Sequence, residues 1–118
     1  MLSREENAQL TQVGPGTPAG ELLRRYWHIV AVAGELTEEK PIKAVRILGE
    51  DLVLFRDKKG RYGLVGEHCP HRSASLAYGR VDEEGIRCPY HGWKFDRGGR
   101  CLEQPAESPE STFKDRVR

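Results

Sequence analysis

Between residues 27 and 102 the apolar positions come in short runs of four to seven, separated by glycine, aspartate and lysine. That texture predicts strands and tight turns rather than long helices. The runs at 27–33, 43–48 and 52–56 are rich in Val, Ile and Leu and read as strands, with Gly49-Glu50-Asp51 turning between the last two. Asp57-Lys58-Lys59-Gly60 reads as a second hairpin turn leading into a strand at 61–65. The segment 81–85 reads as a turn, 85–87 as a brief strand, and 93–96 with 100–102 as a last hairpin around Arg97-Gly98-Gly99. Two helical stretches precede these strands. Residues 3–12 carry Leu10 and Val13 as apolar anchors, and Ser3 with Glu6 makes a capping box. After the break Gly14-Pro15-Gly16-Thr17-Pro18, residues 18–26 predict a second helix with Leu22, Leu23 and Tyr26 on its buried side. The charged run 35–40 reads as a solvated connection. Beyond Leu102 the chain turns Glu-, Ser- and Pro-rich and reads as a loop or frayed tail. No internal repeat or low-complexity segment is read.

With 118 residues this is one domain with a modest core. A net charge of +1 gives no reason to expect nucleic acid or an anionic membrane as partner. No apolar run approaches the roughly 20 residues of a membrane helix, and the charged start Ser3-Arg4-Glu5-Glu6-Asn7 does not suit a secretory signal. Three cysteines argue against a disulfide framework and for a reducing compartment, so the chain is expected to be soluble and cytoplasmic.

The strongest chemical signal is Cys69-Pro70-His71, then sixteen residues, then Cys88-Pro89-Tyr90-His91. Thiolate and imidazole are strong ligands for soft and borderline metals, and four gathered this way imply a metal centre. A zinc finger usually takes two cysteines from one turn and two histidines from another. Here each turn offers one of each, which suits a two-iron cluster with Cys₂ on one iron and His₂ on the other. A structural zinc site remains the alternative. Of the other candidates, His68 reads as a surface residue or one that supports the ligands, Cys101 as a free buried thiol, and His28 as a satisfied histidine on a strand. Tyr90 and Trp93 read as shields for the centre or as plain core.

The stretches Glu67-His68-Cys69-Pro70-His71-Arg72-Ser73-Ala74-Ser75-Leu76 and Arg87-Cys88-Pro89-Tyr90-His91-Gly92-Trp93-Lys94-Phe95-Asp96 resemble the Rieske domain of aromatic-ring-hydroxylating oxygenases. The opening is similar to the start of the phthalate dioxygenase type of large subunit, through residues 1–7, Gly14-Pro15-Gly16-Thr17-Pro18 and Leu22-Leu23-Arg24-Arg25-Tyr26-Trp27. The resemblance implies a mainly β fold: an antiparallel Rieske-type β-sandwich with a small two-loop cluster-binding subdomain, preceded by short N-terminal helices. It divides the chain into an N-terminal helical segment, 1–26, and a Rieske 2Fe-2S domain, 27–118, with further β structure expected after the last residues. It implies a Rieske-type 2Fe-2S cluster, with Cys69 and Cys88 on the inner iron and His71 and His91 on the outer one.

Two thiolates and two neutral imidazoles leave the oxidised cluster formally uncharged, so reduction is easier than with four thiolates. The resemblance therefore implies a potential of roughly −150 to +300 mV, against about −400 mV for an all-cysteine plant-type cluster. Rieske proteins of quinol-oxidising complexes brace the cluster with a disulfide and donate a serine hydroxyl to it. The corresponding places here resemble Ala74, Tyr90 and Trp93, which implies the low end of that range. By the same resemblance the chain takes one electron from a reductase or ferredoxin and passes it to a mononuclear iron in an oxygenase catalytic domain. None of its four histidines follows His91, so the catalytic iron site cannot be built from these residues and no catalytic residue is assigned. A free-standing Rieske ferredoxin is the second reading, and an oligomer is compatible with either.

Overall fold

A computed structural model describes residues 1–117. Two short helices open the chain, α1 (Arg4–Thr11) and α2 (Pro18–Leu23). The capping box forms as expected: Ser3 Oγ accepts from the Glu6 N–H at 3.2 Å, and the Glu6 carboxylate accepts from the Ser3 N–H at 2.7 Å. Thr17 caps α2 by accepting from the Gly20 N–H, and Pro18 occupies its first turn. α2 stops three residues earlier than the apolar pattern suggests, and Leu22 and Tyr26 lie exposed rather than buried. Leu10 is likewise exposed. What fastens this segment is polar. Arg24 donates to the carbonyls of Val13 and Leu48, each at 3.0 Å, and pairs with Glu50 at 2.7 Å.

The body consists of two antiparallel sheets. The first has the order β1 (Ile42–Ile47), β2 (Glu50–Arg56), β3 (Tyr62–Gly66), with Ile42 opposite Phe55 and Leu54 opposite Leu64. The second has the order β4 (Arg80–Asp82), β5 (Gly85–Arg87), β6 (Lys94–Phe95), β7 (Cys101–Glu103). Val53, Phe55 and Val65 from the first sheet pack with Ile86, Phe95 and Cys101 from the second, and Leu76, Cys69, Cys88 and Trp93 belong to the same core. The Asp57–Gly60 turn is held by Asp57, whose buried carboxylate accepts from the Arg61 backbone N–H at 2.9 Å and from Arg61 Nε at 2.8 Å.

Three sequence expectations need correction. Residues 27–33 form no strand: Trp27, Ile29 and Val32 are exposed, and a turn of 3-10 helix covers Ala33–Glu35. β-propensity says which side chains a pleated ladder tolerates; forming one requires a partner, and this segment lies beside Leu54 and Tyr62 instead of pairing with an edge. His28 is therefore not on a strand, although its Nε2 meets the Leu23 carbonyl at 2.8 Å. Residues 80–82, partly assigned to a turn, are β4, paired Arg80 to Arg87 and Asp82 to Gly85. Finally, the polar segment after β7 is no simple frayed tail. It buries Gln104, and a 3-10 turn at Phe113–Arg116 sets Phe113 edge-on against Trp93 at 5.8 Å.

Candidate metal centre

Each loop of the Cys/His motif closes a β-ladder. His68 bridges to Ser75 below the first loop, and Arg87 pairs with Lys94 below the second. Within them the backbone does the same thing twice. The Cys69 N–H donates to Ala74 O at 2.9 Å and the Ser73 N–H to Cys69 O at 2.8 Å. Nineteen positions later, the Cys88 N–H donates to Trp93 O at 2.8 Å and the Gly92 N–H to Cys88 O at 3.2 Å. A proline follows each cysteine, and the fourth residue after it is left-handed: Ser73 at φ 55° and Gly92 at φ 75°. Glycine accepts that conformation freely, whereas serine adopts it against steric cost. This six-residue repeat escaped the sequence reading because only Cys and Pro recur; the rest is backbone geometry.

The structure brings the four motif residues together, and it sorts them. Cys69 and Cys88 are buried, at 2% and 5% exposure, and their thiols neighbour one another. His71 and His91 are exposed, with ring centroids 4.5 Å apart. His71 lies flat on Trp93 at 4.6 Å and 3° between planes, and Tyr90 packs on His91 at 3.8 Å. Trp93 itself is buried, and Phe113 meets it edge-on, so His71 lies on an aromatic ring that is itself held in place. Burial pushes the Cys69 thiol up to about 11, and nearby Cys88 adds to that. The backbone N–H groups of His71 and Arg72 point at its sulfur and pull the other way. Such a thiol yields its proton to a metal rather than to water at neutral pH. Partial desolvation, followed by the charges of His71 and Arg72, holds the His91 imidazole below its usual range, in the neutral form a metal takes.

This donor set fits a binuclear cluster: two sulfurs inside, two imidazoles at the surface. One tetrahedral zinc would gather its donors to within about 4 Å of one another. Among the described residues, the group of three donors that converges within 4.8 Å is Asp51, Glu67 and His68, and it includes none of the four. That group is already engaged, because Arg46 pairs with Asp51 at 2.9 Å and Ser75 Oγ donates to Glu67 at 2.6 Å. Cys101 is a free buried thiol, as expected, donating weakly to Glu103 O.

Beside the second loop lies a network of charges that sequence reasoning overlooked. Arg87, beside Cys88, pairs with Asp82 at 3.2 Å and Glu103 at 2.7 Å, and the largely buried Lys94 reaches the same two carboxylates at 3.3 and 3.1 Å. Arg87 first and Lys94 second hold the Glu103 carboxyl below the usual range. A charged residue at one end of each of four very short strands was the available signal. Their convergence required the β4–β7 register.

The sequence pattern of the Rieske [2Fe-2S] domain matches residues 26–114. The chain belongs to the Rieske [2Fe-2S] domain family. Its cofactor is accordingly a Rieske-type 2Fe-2S cluster. The chain is 54% identical to the 5,5'-dehydrodivanillate O-demethylase oxygenase subunit of Sphingobium sp. (strain NBRC 103272 / SYK-6), over all of this chain and 28% of that protein. It is 44% identical to the phthalate 4,5-dioxygenase oxygenase subunit of Pseudomonas putida, over all of this chain and 27% of that one. Among solved structures, Pseudomonas putida CBB5 NdmA aligns with a TM-score of 0.68 at 37% identity, over 78% of this chain and 29% of its own. This Rieske domain thus spans under a third of the length of the relatives it matches. The mainly β, antiparallel fold and the resemblance to the N-terminal part of ring-hydroxylating oxygenase subunits are both upheld. No helix among the described residues is long and apolar enough to cross a membrane.

Proposed function

We propose that this chain is the electron-transfer part of an aromatic-ring-hydroxylating oxygenase, with Cys69, His71, Cys88 and His91 as the ligands of its cluster. The carrying observation is the sorting of the four side chains, with neighbouring thiols buried and paired imidazoles exposed. When bound, the cluster takes up and releases one electron at a time. The protein's own residues decide where that electron can enter and leave. The core around Cys69 and Cys88 keeps water from the sulfur end, while Trp93 and Tyr90 fix the ring planes of His71 and His91 at the surface. Those rings are the exposed edge through which a partner makes contact.

Beside them lies an open depression of about 400 Å³, lined by Tyr78, Arg80, Pro89 and Tyr90 among others, and Arg72 is exposed next to His91. Among the described residues neither Arg72 nor Arg80 is ion-paired, which suits an acidic donor such as a ferredoxin or a reductase. The acceptor in this reading is a mononuclear iron in the catalytic domain of an oxygenase, because relatives of which this chain spans about a quarter are named as oxygenase subunits. Residues 1–26 form the helical preface and 27–118 the electron-carrying unit, with Arg118 outside the described residues. Free cysteines throughout suit a cytoplasmic setting.

Anaerobic preparation followed by iron and sulfide analysis and a redox titration tests this reading. The expected result is two iron and two sulfide per chain and a midpoint at the lower end of the range of roughly −150 to +300 mV, falling further at alkaline pH as an imidazole N–H is lost. A colourless protein holding zinc refutes it, and a midpoint well above zero volts refutes the low-potential assignment.

A further inference from the structure

The residue just before each cysteine does the same job through a different side chain. His68 Nδ1 lies 3.3 Å from the carbonyl oxygen of Ser73, and Arg87 Nη1 donates to the carbonyl oxygen of Gly92 at 2.9 Å. A carbonyl only accepts, so Nδ1 of His68 carries the hydrogen. Ser73 and Gly92 are the two left-handed residues of the repeat, and Gly92 directly follows His91. Each contact therefore ties the start of a ligand loop to its sharpest bend and encloses the cysteine and the histidine between. The left-handed conformation turns these two carbonyls out of the local backbone pattern, and the side chain before the cysteine is what meets them.

We infer that His68 and Arg87 are a matched pair of positioning residues, each stapling one ligand loop of the cluster by donating to the carbonyl of the left-handed residue five positions on. The inference rests on the proposed ligand set and adds what holds it in shape. It makes the two loops independently held. Loss of the His68 contact frees the loop carrying Cys69 and His71, and loss of the Arg87 contact frees the loop carrying Cys88 and His91. Arg87 also reaches Asp82 and Glu103, so its carbonyl contact must be separated from its ion pairs.

The test uses the cluster-loaded full chain and five substitutions. His68→Phe keeps a ring and removes the donor, and His68→Gln restores an N–H. Arg87→Met removes the donor, and Arg87→Lys restores one. Two quantities are read: the EPR g-values of the reduced protein, which report ligand orientation, and the rate of cluster loss to a chelator. Circular dichroism verifies the fold. His68→Phe and Arg87→Met are expected to shift the g-values and to lose the cluster about tenfold faster, with Gln and Lys returning both quantities toward the parent. Glu103→Gln, which weakens the ion pair and spares the carbonyl contact, is expected to leave the g-values in place. Parent-like behaviour of either His68→Phe or Arg87→Met overturns the inference, and so does a Glu103→Gln spectrum that copies Arg87→Met. If Arg87→Met fails to fold, His68→Phe decides alone, since His68 makes no ion pair among the described residues. A parent that takes up no two-iron cluster sinks the ligand assignment instead, which is a different result from a loaded parent with indifferent variants.

Discussion

Replacing Gly85 by alanine tests how the short second sheet presents Cys88. A Cβ at residue 85 would sit 2.0 Å from the carbonyl oxygen of Phe95, 2.9 Å from its carbon and 3.2 Å from Asp96 Cα. These are backbone atoms, so no side-chain rotation relieves the clash, and β5 must move away from β6 by about 1.5 Å to reach ordinary contact. That ladder consists of two pairs, Ile86 with Phe95 and Arg87 with Lys94, and a shift of this size breaks it. Overpacking costs about 1–3 kcal/mol. With Ile86 and Phe95 both in the core, the upper end applies, about 3 kcal/mol. That is roughly a 150-fold change in the unfolding equilibrium. At an m-value of about 1.5 kcal/mol per molar urea the midpoint falls by about 2 M. Gly66→Ala is the control: it is a strand glycine whose added Cβ meets nothing within 4 Å. Its substitution should stabilise by about 0.5–1 kcal/mol. Urea unfolding of the loaded protein, followed by far-ultraviolet circular dichroism and by cluster absorbance, measures both. A Gly85→Ala midpoint within 0.3 M of the parent (about 0.5 kcal/mol), or an equal loss in Gly66→Ala, refutes the reasoning.

Ser73→Gly removes a left-handed serine from the first loop and should stabilise the protein by about 1 kcal/mol in the same urea experiment; destabilisation would mean that the serine side chain matters more than its backbone. Trp93→Ala strips the face on which His71 lies and should cost about 3–5 kcal/mol. Trp93→Phe keeps a stacking surface and should retain most of the cluster, as read by absorbance. Burial pushes the Asp57 carboxyl up, but the Arg61 N–H and guanidinium outweigh it and hold the group below its usual range. A depressed carboxyl contributes stability above its unfolded value, so that contribution is complete at neutral pH. It should drain away as pH falls below about 4, and Asp57→Asn should flatten this part of the stability–pH curve.

The sequence was most legible where chemistry is tied to residue type. Two cysteines and two histidines in alternating order sufficed to name the cluster, because few other centres use these residues in that arrangement. The hairpins around Gly49 and Gly60 were equally readable, since both glycines are left-handed in the structure. The segment 27–33 misled because its apolar residues satisfy a strand pattern that no neighbouring strand completes; exposed Trp27 and Ile29 record the mismatch. β4 was hidden for the opposite reason. Arg80, Val81 and Asp82 have no strand signature, and their ladder with β5 is stitched together by Arg87 and Asp82. Phe113 stands far from the motif in sequence and joins the site only through the path of the chain after β7. Such long-range placement leaves no local trace.

Mössbauer spectra of reduced protein loaded with iron-57 test the central assignment most directly. The arrangement of buried thiols and exposed imidazoles predicts two inequivalent iron atoms, a ferric one with cysteine sulfur and a ferrous one with histidine nitrogen. Two equivalent irons, or a single mononuclear metal held by Cys69, His71, Cys88 and His91 together, would contradict it.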